Sequence, residues 1–173
     1  DSDIVYSASI SAYGSVPATQ WPCEGVAVNL NVLWLKEDQL NKMHLTEGLG
    51  IAYDFVKLKL ETVKIKDFEY KKDIYGYVSV PGILPFQDKF PKRLSSISGK
   101  NIKLNDLSEI NALQYMKDTQ GSKGINLNEW LNKIINEKEY RFSILQNLRS
   151  KAIKPQNPNW KIIQATTKGE LIV

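Results

Sequence analysis

Cysteine and histidine are nearly absent: Cys23 is the only thiol and His44 the only imidazole among 173 residues. A lone cysteine forms no internal disulfide and fits a reducing compartment, so a cytoplasmic location is expected. One cysteine and one histidine do not make the ligand cluster of a zinc site either, and no metal or other cofactor is expected. Long apolar runs are missing too. No stretch reaches the roughly 18 to 20 uninterrupted apolar residues of a membrane span. The opening Asp1-Ser2-Asp3 has none of the basic-then-apolar order of a signal peptide. No membrane partner is therefore expected. Because the sequence opens on Asp rather than Met, it is expected to begin inside a longer product. It contains no internal repeat and no low-complexity segment.

Charge of one sign is also lacking. The formal net charge is only +4, and the basic residues are scattered with acids among them. That pattern reads as a solvated surface, and no nucleic-acid partner is expected. An apolar share of 42% is enough for one domain with a sizeable core, or one domain with a helical arm.

The first half of the chain reads as β-rich. Ile4, Tyr6, Ala8 and Ile10 alternate with Val5, Ser7 and Ser9, as in a half-buried strand. After a turn-rich stretch, Val26, Val28, Leu30, Val32 and Trp34 form the cleanest period-two segment and predict a strand. A helical period over Lys36 to Thr46 turns Leu40 and Met43 inward, and Gly48 and Gly50 end it. Tyr53 to Lys66 and Ile74 to Val80 read as extended again. The gap between them is too short for a parallel crossover, which predicts antiparallel pairing. Beyond a loop marked by Pro81, Gly82, Pro85 and Pro91, helices are expected over Asp106 to Asp118, Leu127 to Asn136 and Lys138 to Ala152. Asn126 followed by Glu129 is the start signal of the second. Trp160, Ile162 and Ile163 are expected to pack back as an extended arm. The expected organisation is a β-rich core over residues 1–94 and a helical extension and tail over 95–173.

Glu47, in "HLTEGLG", is the carboxylate that stands out. At the C-terminal end of a helix it meets the negative end of the dipole, and partial burial would favour its neutral form, as acid-base chemistry requires. Position alone fits an exposed glutamate in a closing turn better than a catalyst. His44 is expected on the helix flank and Cys23 as an incidental thiol. Trp21, Trp34, Trp130 and Trp160 read as anchors, and "KIKDFEYKKD" as a solvated strand edge or hairpin. Ser95, Ser96 and Ser98 lack phosphate-loop spacing.

The run "ATQWPCEGVAVNLNVLWLKEDQLNKMHLTEG", from Ala18 through Glu47, resembles the central segment of the gamma-glutamylcyclotransferase-like family. In that family an "ATL-x-P-x-x-G" loop enters a strand ending in "V-x-W-x-L". A short helix and a Glu-Gly pair follow. Tyr53 falls where the family has a tyrosine opening the next strand, and Tyr75 and Tyr77 fall in the strand after it. The resemblance covers residues 4–85, and the Glu-Gly pair is its specific part. It implies an α+β fold: a small, mostly antiparallel, barrel-like sheet with one inserted helix, here carrying a C-terminal helical extension. It also implies Glu47 as acid-base residue, Tyr53 and Tyr77 as substrate-binding residues, and a small-molecule γ-glutamyl substrate closed to 5-oxoproline with release of the amine half. Active family members begin with "Y-G-S-N-L" as the substrate loop. Here Tyr13-Gly14-Ser15 precedes Val16-Pro17 and sits in the register of the loop before "ATL". A non-catalytic, protein-binding member of the family is the alternative expectation.

Overall fold

The computed structural model describes residues 1–66, 68–156, 158–165 and 171–172. Its strands are β1 (Ser2–Tyr6), β2 (Ala18–Pro22), β3 (Ala27–Val28), β4 (Tyr53–Leu58), β5 (Tyr75–Ser79), β6 (Arg93–Leu94), β7 (Gly99–Lys100), β8 (Asp106–Leu107), β9 (Trp160–Ala165) and β10 (Leu171–Ile172). The helices are α1 (Glu37–Thr46), α2 (Glu109–Thr119), α3 (Leu127–Asn136) and α4 (Lys138–Lys151). The class is α+β, as expected. The barrel is not. Among the described residues the strands make a four-stranded sheet of order β2-β1-β6-β8, a second of order β10-β9-β4-β5, and the separate pair β3-β7.

All these pairings are antiparallel except β6 with β8. β2 and β5 lie beside each other, but side chains rather than a ladder bridge them: the Ser79 amide donates to Thr19 Oγ1 at 3.0 Å. A sheet that passes this seam through a side chain does not close into a barrel, because closure needs continuous main-chain pairing.

β1 is enclosed on both faces instead of one: Asp3, Ile4, Val5 and Tyr6 are all buried. One face meets the helices, where Tyr6, Ala8 and Ile10 join Met116, Trp130 and Leu148 in the larger core. The helices follow from their sequence signals. Asn126 Oδ1 accepts from the Glu129 amide at 2.9 Å while Glu129 Oε2 accepts from the Asn126 amide at 3.1 Å, a reciprocal cap that starts α3 where expected. The Arg141 guanidinium, on α4, donates to the carbonyls of Ile134 and Ile135 at 2.7 and 3.1 Å and so satisfies the end of α3.

The tail does pack back: β9 pairs with β4 from Phe55 opposite Ile163 to Leu58 opposite Trp160. Trp160 closes a smaller core with Val56 and Val78. The β4 and β5 pairing is antiparallel from Tyr53 opposite Ser79 to Lys57 opposite Tyr75.

The long strand expected over Val26 to Trp34 shrinks to Ala27–Val28. Residues 29–35 have no regular structure, and Leu30, Leu33 and Trp34 are 53%, 65% and 63% exposed. Alternation supplies an apolar face, but a strand also needs a neighbour to bond its backbone. The neighbour β7 is only two residues long.

Candidate functional site

α1 ends on Glu47 through its backbone. The Gly48 amide donates to the Leu45 carbonyl at 3.4 Å, and the Leu49 amide to the His44 carbonyl at 3.3 Å. Gly48 sits at φ +60°, the left-handed conformation that this paired closure demands. The Glu-Gly pair thus has a mechanical reading: the glycine stops the helix in the geometry that leaves Glu47 at its end. A Cβ on Gly48 would lie 3.5 Å from the Ala52 Cβ, an ordinary contact, so the cost of substitution comes from φ. Gly48→Ala is expected to lose about 1–2 kcal/mol in denaturant unfolding. Gly48→Asn, which tolerates this conformation, should lose clearly less; equal losses would refute the closure as the cause.

Glu47 is half-buried, and burial raises its carboxyl above the ordinary value of 4.5. No basic side chain pairs with it among the described residues. The two tyrosines singled out with it lie within its electrostatic reach. Tyr53 is pushed up to about 12 by burial first and then by the Glu47 charge and Tyr13. Tyr77 is also pushed up to about 12, by burial and then by Glu47. Their rings meet edge to face at 6.3 Å. β4 and β5 hold them in neighbouring positions, since Tyr53 pairs with Ser79 and Phe55 with Tyr77. Both phenols therefore stay protonated at neutral pH.

His44 was misplaced by the sequence reading. It is 3% exposed, one turn before Glu47, and its Nδ1 lies 2.7 Å from the Tyr77 hydroxyl. Phe55 packs edge to face on its ring at 4.6 Å. Burial lowers its pKa below 6.5, so the ring is neutral at neutral pH. The ring packs against Phe55 of β4 and Tyr77 of β5 rather than on the helix flank.

Three hydroxyl residues escaped notice. Ser7 and Ser79 share a hydrogen bond of 2.5 Å, and Thr19 accepts from the Ser79 amide. The Tyr53 hydroxyl donates to the Ala18 carbonyl at 3.4 Å. Together they tie β1 and β2 to β4 and β5 behind the tyrosines. Period-two counting registers Ser7 and Ser79 only as polar alternates, so the sequence carries no signal that they face one another.

Tyr13-Gly14-Ser15 forms a tight loop in which Gly14, at φ +84°, donates to the Ser11 carbonyl at 3.1 Å. Tyr13 is 79% exposed. Cys23 stands apart, half-buried, with its thiol pushed up by burial. Thiolate chemistry is disfavoured there. The basic-aromatic stretch near Phe68 and Tyr70 is irregular over 68–70 and adjoins a cavity of about 320 Å³ whose lining includes neither Glu47 nor the two site tyrosines. Asp67, within that stretch, lies outside the described residues.

No protein-family model matches the chain, and neither a curated protein nor a solved structure does. No helix among the described residues is long and apolar enough to cross a membrane.

Proposed function

We propose that the protein is a gamma-glutamylcyclotransferase-like enzyme that closes a γ-glutamyl amine or peptide to 5-oxoproline and releases the amine. The observation that carries this reading is the convergence of Glu47, Tyr53 and Tyr77, with the carboxyl raised by burial and both phenols raised in part by that carboxyl. Perturbed groups gathered at one place favour a functional site over a solvated turn.

The chemistry fits the groups present. The substrate's α-ammonium loses a proton to Glu47, and the freed amine attacks its own γ-carbonyl. The ring nitrogen gives up a second proton as the C–N bond to the amine half breaks, and the leaving nitrogen takes up both protons, one by way of Glu47, and departs as the ammonium. Ring closure needs mostly a folded substrate, and a wall of aromatic rings can select that conformer. The phenol donors would face the oxygen on which negative charge develops.

The test is 5-oxoproline release by the wild-type protein from a panel of γ-glutamyl dipeptides and γ-glutamyl amines. Release with matching amine formation is expected; no release across the panel would overturn the reading. A second reading, a non-catalytic protein-binding role, draws on the exposed Leu30, Leu33 and Trp34. It predicts binding lost on Trp34→Ser with no turnover of any panel member.

A further inference from the structure

His44 is buried beside a phenol and carries an imbalance that its surroundings explain only in one tautomer. Its Nδ1 meets the Tyr77 hydroxyl at 2.7 Å, while its Nε2 is buried with no partner among the described residues. A neutral imidazole has one N–H and one bare lone pair. A proton on Nε2 would be an orphaned buried N–H, the rarer and costlier defect. A bare lone pair there is the more tolerable one. The proton then belongs on Nδ1, where its only partner in reach is the Tyr77 oxygen.

We propose that His44 is a positioning residue: its Nδ1–H donates to Tyr77 Oη, which leaves the Tyr77 proton free for a substrate atom. The same hydrogen bond read the other way would spend that proton on the imidazole, and the Tyr53 hydroxyl already donates to the Ala18 carbonyl, so neither phenol proton would be free. The His44 carbonyl accepts from the Leu49 amide in the closure that ends α1 at Glu47. Phe55, edge to face with His44 and tilted against Tyr77 at 5.4 Å, limits rotation of both rings.

This inference deepens the cyclotransferase reading and rests on it for the use of the Tyr77 proton, but its first test does not require turnover. His44 is the only histidine in the chain, so its two ring nitrogens give the only imidazole signals in a nitrogen-15 spectrum of the folded protein. Above pH 7 the expected spectrum has a protonated Nδ1 and an unprotonated Nε2, and Tyr77→Phe shifts the population toward the Nε2-protonated form. A protonated Nε2 in the wild type would overturn the proposal whatever the enzyme does. The second test compares His44→Asn, whose amide can place a donor near the Nδ1 position, with His44→Leu, which cannot. On a substrate that the wild type turns over, His44→Leu should lower kcat and kcat/KM together by about tenfold or more, as loss of a transition-state donor does. His44→Asn should recover most of the loss at equal fold stability. Equal kcat in the two variants would sink the positioning role. A wild type with no turnover but the Nδ1 proton in place would instead remove the reaction and keep the tautomer.

Discussion

Glu47→Gln is expected to lower the rate of 5-oxoproline release by roughly 10²- to 10⁴-fold, the range lost with a general acid-base group. The same substitution should make the protein more stable at neutral pH. Burial raises the folded-state pKa of Glu47 above its ordinary 4.5. The folded protein therefore holds this proton more tightly than the unfolded chain does. The resulting stabilisation is fully present below about pH 4.5 and is lost as pH rises through the folded-state value. At pH 7 the wild type thus keeps an ionised carboxylate where the fold prefers a neutral group. The carboxamide retains the shape and removes that conflict. Thermal unfolding of both proteins from pH 4 to pH 8 should show Glu47→Gln gaining on the wild type as the pH rises. The acid limb of the wild-type rate profile should lie above the ordinary glutamate range, since the base must be ionised to act. Equal product release by the two proteins would end the catalytic assignment. A variant less stable at pH 8 than the wild type would contradict the buried, unpaired carboxylate.

Much of the scaffold of this site was legible because it is local. The capping pair Asn126 and Glu129 marks the start of α3, and Gly48 marks the end of α1, through interactions between residues a few positions apart. The short gap between β4 and β5 permitted only antiparallel pairing. Non-local partnership was hidden. Alternation from Val26 to Trp34 predicted a long strand because it shows which side chains share a face, but it does not reveal whether another strand lies alongside. The burial of His44 is not legible in α1, whose amphipathic patterning is weak, with Leu40 and Met43 only half-buried and the histidine the buried residue of the helix. The resemblance to a known family points to Glu47, Tyr53 and Tyr77. It did not reach Ser7, Thr19 or Ser79, whose hydroxyls matter only where two sheets meet. Charge was misleading at particular positions as well. Scattered basic residues read as a solvated surface, yet Arg93 and Lys117 are buried.

Arg93 is the position at which the largest loss of stability is expected. Asp3 is fully buried on β1, and the Arg93 guanidinium on β6 donates from Nε to its two carboxylate oxygens at 3.3 and 3.2 Å. Asp3 Oδ1 also accepts from the Ile4 amide at 2.8 Å, and an Arg93 terminal nitrogen donates to the Ile97 carbonyl at 2.5 Å. The pair is therefore desolvated and hydrogen-bonded on both sides. Arg93→Ala leaves a carboxylate buried with no cation, and losing one partner of such a pair costs about 3–5 kcal/mol. For a chain of this size that is a fall in melting temperature on the order of 10 °C. The loss should reach the Ser7–Ser79 contact, because Ser7 follows directly on β1 and the strand is held from its other edge by β6. Removing both charges separates the net worth of the pair from the penalty of an orphaned ion. Asp3→Leu with Arg93→Met should recover most of the stability, since apolar replacement of a whole buried pair is often near neutral. The measurement is a double-mutant cycle in urea, with the two single variants and the double variant compared against the wild type. Additive losses would mean that the two groups do not stabilise each other, and β1 would then owe its place to the apolar contacts of Val5, Tyr6 and Ala8 alone.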